Sequence, residues 1–249
     1  MSDRGVCVVT GGSRGIGAAT ARLAAENGYS VVITYRERSE QARAVVDTIV
    51  ARGGQADAVR GDIGDEADVL RAFQVADRLG PLTLLVNNAG IVGAVGRLED
   101  VVAGPMLEAL FRTNVVGAFL AAREAVKRMS TRHGGRGGSI VNVSSGASQL
   151  GTPNVWIHYA ATKGAIDAMT IGLAKEVAAD GIRVNAIRPG VIDTEIHAAR
   201  PPGQLDKIRQ AIPMQRLGTA DEIARAIIWM ASDECPYLTG TFLDARGGL

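Results

Sequence analysis

Val6-Cys7-Val8-Val9-Thr10-Gly11-Gly12-Ser13-Arg14-Gly15-Ile16-Gly17 decides the fold. A short β-branched run reads as a buried strand and breaks at once into glycines. From Ile16 to Asn27, apolar residues then recur at helical steps. A strand that turns through glycines into a helix aims backbone N–H groups and the positive end of a helix dipole at one point, with no Cβ in the way. A pyrophosphate requires that arrangement. Gly11, Gly15 and Gly17 are candidates for the tight turn, the close approach and the helix–strand packing, and Ser13, Arg14 and Ile16 complete the candidate cofactor turn. The spacing is Gly-x-x-x-Gly-x-Gly, not Gly-x-Gly-x-x-Gly, and a plain strand-to-helix connection could use the same glycines. Its place after the first strand and before a helix favours the dinucleotide reading.

Outward from that stretch, the same alternation continues. Strand-like runs are Val6–Thr10, Val31–Tyr35, Ala56–Arg60, Leu82–Asn87, Ser139–Val143, Arg183–Ile187 and Thr241–Asp244. Helical patterns cover Ile16–Asn27, Glu40–Arg52, Glu66–Leu79, Val115–Met129, Ala160–Ala179 and Asp221–Met230. Asp65 reads as an N-cap, as does Thr219 with Glu222 three residues on. Alternation of this kind predicts right-handed βαβ units on one parallel sheet covered on both faces. No linker divides the chain, so residues 1–249 read as one domain. Val191–Pro213 is long, aperiodic and carries Pro201, Pro202 and Pro213; it reads as a substrate lid at about 191–213, with a surface excursion as the alternative. Arg132–Gly138 reads as a surface turn.

The composition excludes several function classes. Lys and Arg number 27 against 26 Asp and Glu, a net charge of +1 with no block of one sign, so neither a nucleic acid nor a membrane surface is an expected partner. No apolar stretch approaches the ~20 residues of a membrane span. Met1-Ser2-Asp3-Arg4-Gly5 leaves no room for a signal peptide, and a cytoplasmic location is expected. Cys7 and Cys235 have no metal spacing and read as reduced thiols, Cys7 filling core volume. His133, His158 and His197 have no ligand spacing either; no metal is expected, and they read as surface or pocket-lining residues.

The end of the second strand discriminates between cofactors. A carboxylate there would accept hydrogen bonds from the adenosine ribose, but the strand ends Thr34-Tyr35-Arg36. Arg36 and Arg14, one from each neighbouring turn, can clamp a 2′-phosphate, which suits the guanidinium fork; singly, either could be a solvated surface charge. The expected cofactor is NADP(H).

Tyr159-Ala-Ala-Thr-Lys163 puts a phenol and an ammonium on one helix face. A free phenol titrates at about 10, and lowering that by about three units takes roughly 4 kcal/mol of preferential phenolate stabilisation. The ammonium and a nicotinamide's positive charge are the expected source. The pair alone is a common helical coincidence. It is accompanied in order, however, by Asp62-Ile63, Asn87-Asn88-Ala89-Gly90, Asn114, Ser144-Ser145, Arg183-Val184-Asn185 and Pro189-Gly190. On these residues the chain resembles the short-chain dehydrogenase/reductase family over essentially its whole length.

The resemblance implies a Rossmann-like doubly wound α/β fold, a seven-stranded parallel sheet of order 3-2-1-4-5-6-7, with the active site at the carboxyl ends of its strands. It makes Tyr159 the general acid/base and Lys163 its partner and nicotinamide-ribose ligand. Ser145 would bind the substrate oxygen, and Asn114, opening a helix, would anchor a relay water. It brings Asp62 to the adenine, Asn88 to the ribose and Thr194 to the pyrophosphate or carboxamide, with Ile63, Ala89, Gly90, Pro189, Gly190 and Ile192 alongside the cofactor. Ser144, the strand neighbour of Ser145, would face away. The implied reaction is hydride transfer between NADP(H) and a small carbonyl or alcohol substrate. Alternatives are a sugar or alcohol dehydrogenase running oxidatively, or an idle NADP(H)-binding protein. Two departures, the Ser145-to-Tyr159 spacing and Arg188 before Pro189-Gly190, leave the substrate open. The resemblance further implies a homotetramer, and the small residues and few charges over Ala160–Leu173 fit a helix covered on more than one side.

Overall fold

A computed structural model describes residues 4–195 and 203–249. Seven parallel strands form one sheet: β1 (Val6–Val9), β2 (Ser30–Tyr35), β3 (Ala56–Arg60), β4 (Leu82–Asn87), β5 (Gly138–Val143), β6 (Ile182–Pro189) and β7 (Phe242–Ala245). Their order is β3-β2-β1-β4-β5-β6-β7, as the resemblance implied. Val6–Val9 is buried throughout because both faces of a central parallel strand are covered by helices.

Successive side chains sort the core into two layers. Val6 and Val8 join Leu85, Ile140 and Val184 beneath α3 (Glu66–Leu79), α6 (Gly117–Met129) and α8 (Ile157–Val177). Cys7 and Val9 join Val31, Ile33, Leu84 and Val141 beneath α1 (Gly15–Glu26), α2 (Ser39–Ala51) and α10 (Ala220–Ala231). The strand order reverses between β1 and β4, and there the loops leaving the carboxyl ends diverge into a crevice.

Two predicted caps are formed. Asp65 accepts from the Ala67 and Asp68 amides, and Thr219 and Glu222 make a reciprocal capping box. A buried polar chain fixes the strands that carry the site: Asn87 Nδ2 donates to Asn142 Oδ1 at 3.0 Å, and Asn142 Nδ2 to Thr170 Oγ1 at 2.9 Å. It ties β4, β5 and α8 together where an apolar contact would leave their relative slide less fixed.

The structure corrects several element readings. The helix read from Val115 begins earlier, as α5 (Gly104–Phe111) running through a π-helical turn, Arg112–Val116, into α6. Asn114 therefore lies inside a continuous helix and does not open one. Gly104 and Pro105 look like breakers, but proline fits the first helical turn, where its missing N–H is not needed. The short α4 (Leu98–Val101) and α7 (Ala147–Leu150), each four residues, are too brief to show a period. Within the expected lid, Gln204–Ala211 is a helix, α9, while Pro201 and Pro202 lie outside the described residues. Thr131–His133, bordering the stretch read as a surface turn, forms a single 3-10 turn.

Candidate active site

The crevice at the β1/β4 divergence encloses a cavity of about 280 Å³. Gly11 (φ 65°) and Gly15 (φ 53°) take the left-handed conformations that glycine adopts at no steric cost. A Cβ on Gly17 would collide with the Gly11 carbonyl oxygen and come 2.5 Å from Asn88 Nδ2, so this glycine serves packing and does not line the cavity. The N-terminus of α1 has no side-chain cap and no acidic residue in its first turn. Its amides are thus left for an anion from outside the helix.

Ser13, Arg14, Gly15, Ile16, Arg36, Asp62, Ile63, Asn88, Ala89, Gly90 and Thr194 line this cavity together with Gly11. Arg36 pairs with Glu37 at 2.9 Å and Arg14 with Glu195 at 3.0 Å, all four side chains well exposed. Exposed pairs of this kind contribute roughly 0–1 kcal/mol and are readily exchanged for a better anion. Arg38 also lines the cavity. Sequence reading missed it, although the alternation Arg36-Glu37-Arg38 was available as a signal. Asn88 spends both side-chain donor contacts on the glycine turn, reaching the Thr10 and Gly11 carbonyls at 2.9 and 3.0 Å. Asp62 Oδ1 accepts from the Gly64 amide, fixing the loop after β3.

A second cavity, of about 190 Å³, opens beside the first and shares Ile16, Asn88, Gly90 and Thr194 with it. Ser145, Tyr159, Lys163, Pro189, Gly190 and Ile192 line it. Ser145 follows β5; its Oγ accepts from the Ala147 amide and hydrogen-bonds with the Tyr159 phenol. Trp156 holds the Tyr159 ring edge-on, with centroids 6.2 Å apart. Lys163 Nζ lies 5.6 Å from the centre of that ring and donates to the Val143 carbonyl at 2.7 Å.

The chain's own groups do not lower the phenol as expected. Burial pushes Tyr159 up to about 12, outweighing the opposing hydrogen bond from Ser145. Burial pushes Lys163 down to about 8, against the pull of the Asp167 carboxylate. Both groups are therefore desolvated and sensitive to any charge brought beside them.

Asn114 lines neither cavity. Its Oδ1 accepts from the Ile91 amide, and its Nδ2 donates to the Ile91 carbonyl, both at 2.8 Å, and to Thr162 Oγ1 at 3.0 Å. It pins the loop after β4 to α8. His158 is buried, with Nε2 3.1 Å from the Val92 carbonyl, and so braces the same loop; His133 is exposed, and His197 lies outside the described residues. Both cysteines are free and buried.

Ser144, as anticipated from strand alternation, turns from the phenol: its Oγ donates to Asp167 Oδ1 at 2.5 Å. Asp167 Oδ2 takes two bonds from Arg188, at 3.1 and 2.8 Å, and the Arg188 guanidinium stacks 3.9 Å from the centre of the Phe242 ring. Arg188, read as a departure of uncertain effect, therefore closes a polar chain directly behind Ser145 and Lys163. Among the described residues no cluster of three or more His, Cys, Asp or Glu could hold a metal ion, and no helix is long and apolar enough to cross a membrane.

Comparison with known proteins adds the following likenesses. The family model described as enoyl-(acyl carrier protein) reductase matches residues 11–249. An uncharacterized oxidoreductase of Escherichia coli, YgfF, is 50% identical, covering 98% of this chain and 99% of its own. The 3-oxoacyl-[acyl-carrier-protein] reductase FabG of Staphylococcus aureus is 34% identical over 97% of this chain and 96% of its own. A short-chain dehydrogenase from Burkholderia cenocepacia, solved in complex with NADP, superposes with a TM-score of 0.90 at 35% identity, covering 98% of this chain and 97% of that one. A blue fluorescent protein from a metagenomic library, solved with NADPH, gives a TM-score of 0.90 at 34% identity, covering 99% and 98%.

Proposed function

Because this chain belongs to the short-chain dehydrogenase/reductase family, we propose that it is an NADP(H)-dependent reductase of a small carbonyl compound, with Tyr159 as proton donor. The observation that carries this reading is the convergence of Ser145, Tyr159 and Lys163 on one cavity that opens onto the glycine-lined crevice. The crevice fits the cofactor: it offers uncapped helix amides, glycines where a Cβ would intrude, and Arg14, Arg36 and Arg38, with Glu37, the first acid after β2, paired to Arg36. When bound, the reduced nicotinamide supplies the hydride, and its oxidised form brings positive charge beside the phenol.

The chain's residues supply the rest. Negative charge builds on the carbonyl oxygen as hydride arrives, and the Ser145 and Tyr159 hydroxyls are placed to donate to it. Tyr159 Oη then gives up its proton, and the Lys163 ammonium stabilises the resulting phenolate. The Asn114 side chain is already spent on Ile91 and Thr162, so a relay water would be held by the main chain of the π turn and not by that carboxamide. Burial keeps the phenol protonated, the form in which it can donate to a carbonyl oxygen. Asp62, Ile63, Asn88, Ala89, Gly90, Pro189, Gly190, Ile192 and Thr194 complete the cofactor contacts, and residues 191–213 form the lid. A panel of ketones and alcohols assayed for NADPH oxidation or NADP+ reduction tests the reading. No turnover in either direction would favour an idle binding protein.

Cofactor choice gives a separate expected result. Each charge-assisted hydrogen bond contributes about 1.5–3 kcal/mol, so losing the 2′-phosphate should weaken binding at least about tenfold. NADPH should titrate at least that much tighter than NADH by nucleotide fluorescence, and Arg36→Asp should move the preference toward NADH. Equal affinities in the unaltered protein would remove the arginines from cofactor recognition.

For assembly, we propose a homotetramer. On α6, Phe119 with its neighbour Val116 is exposed, and on α8 Ile171 is exposed while Gly164 and Gly172 face open space. These helix faces suit isologous contact with a second copy. Light scattering at micromolar concentration should give four times the 26.0 kDa chain mass; a monomer mass would refute it. The two unpaired thiols suit the reducing cytoplasm, where we place the enzyme.

A further inference from the structure

Arg246 takes no part in the proton transfer. It follows β7 and reaches the substrate cavity, where the rest of the wall is largely apolar: Val92, Leu150, Trp156 and Val191. Two glycines make room for it. A Cβ on Gly190 would fall 2.9 Å from the Arg246 Cα, and one on Gly146 would fall 2.8 Å from its Cδ. The side chain thus lies across Gly146, the residue next to Ser145.

The guanidinium is poorly satisfied there. Its side chain is only 15% exposed, and Nη2 pairs with the half-exposed Asp244 at 3.0 Å. Nε is buried and has no hydrogen-bond partner among the described residues. Arginine carries five N–H donors in a fixed fork, and one ion pair to Asp244 leaves most of them available. Among the described residues no Asp or Glu side chain lines the cavity, whose only cationic side chains are Lys163 and Arg246. Lys163 is turned to the Val143 carbonyl and to Tyr159. A small apolar pocket with one available cation orients its ligand through that cation.

We propose that Arg246 is the specificity-determining anchor for a carboxylate, and that the substrate is a short-chain oxo acid. The carboxylate is held by the guanidinium while the oxo group meets Ser145 and Tyr159. Ser145, Tyr159 and Arg246 line one cavity of about 190 Å³, so a short carbon chain suffices between the two groups. The inference rests on reading this pocket as the substrate site, so its test is chosen to be independent of turnover.

Calorimetric titration of a four-carbon hydroxy acid and its methyl ester into the NADPH-saturated protein, a pairing that cannot react, provides the test. The acid should bind at least about tenfold tighter than the ester, an advantage that one charge-assisted, bidentate contact can supply. Arg246→Gln should collapse the acid-to-ester ratio toward unity, and Arg246→Lys should restore part of it. Retained NADPH fluorescence shows that either variant is folded. Ester binding equal to acid binding, or an acid preference that survives Arg246→Gln, overturns the proposal. NADPH oxidation with the matching oxo acid then tests the reductase reading separately. Arg246-dependent acid binding without turnover would sink that reading and leave the anchor standing.

Discussion

Tyr159→Phe is expected to cut turnover by about 10²–10⁴-fold, the usual contribution of a positioned general acid, while NADPH binding stays nearly intact. The substitution removes one oxygen and with it the hydrogen bond to Ser145. The ring keeps its edge-on contact with Trp156, so the pocket wall is preserved. The loss should fall on kcat and kcat/KM alike, because the missing interaction operates in the transition state. Lys163→Ala should differ in kind, damaging turnover and cofactor affinity together. Steady-state kinetics on a reducible ketone, paired with NADPH titration, separates the two patterns. Near-normal turnover by Tyr159→Phe would place the proton donor elsewhere.

The largest expected effect on stability comes from Asp167→Ala. The Asp167 and Arg188 side chains are 14% and 12% exposed, and the carboxylate also receives the Ser144 hydroxyl. Removing it leaves a largely buried guanidinium without its counter-ion, stacked on the Phe242 ring. Breaking a buried pair on one side typically costs about 3–5 kcal/mol. Urea denaturation should show a loss of this size for Asp167→Ala. The double change with Arg188→Met should recover part of it, since neither charge is then left buried alone. A loss below about 1 kcal/mol would class the pair with exposed salt bridges.

The parallel sheet was legible because most strands are short β-branched runs bounded by glycine or polar residues and alternate with helical patterns, whereas the strand order came only from the family resemblance. Gly11 and Gly15 stood out through the tight turn they make and Tyr159 and Lys163 through one helical turn, while Ser145 and the roles of the pair came from the family resemblance. What could not be read depends on contacts across the chain. Nothing local marks Arg246, which matters only because Gly146 and Gly190, far away in sequence, clear a channel for it. The role of Arg188 likewise appears only when β6 is set against α8, and Asn114 looked like a helix start because α5 hides behind Gly104-Pro105. How deeply the phenol and the ammonium are desolvated could not be read either, since helical spacing reveals their proximity and not their burial.

The π turn at Arg112–Val116 sets the angular phase of everything after it. Residues along an α-helix advance by about 100° each, so one residue more or fewer in that turn would rotate α6 by that angle about its axis. In the native phase Ala118, Ala121, Ala122, Ala125 and Met129 face the sheet, while Phe119 faces out. Deleting Val115 or Val116 would allow a regular helix, yet it would swing the alanine stripe off the sheet and misalign the residues meant to replace it. The locally irregular turn is therefore a timing device for the helix: it lets Asn114 reach the loop after β4 without taking α6 out of step with the core.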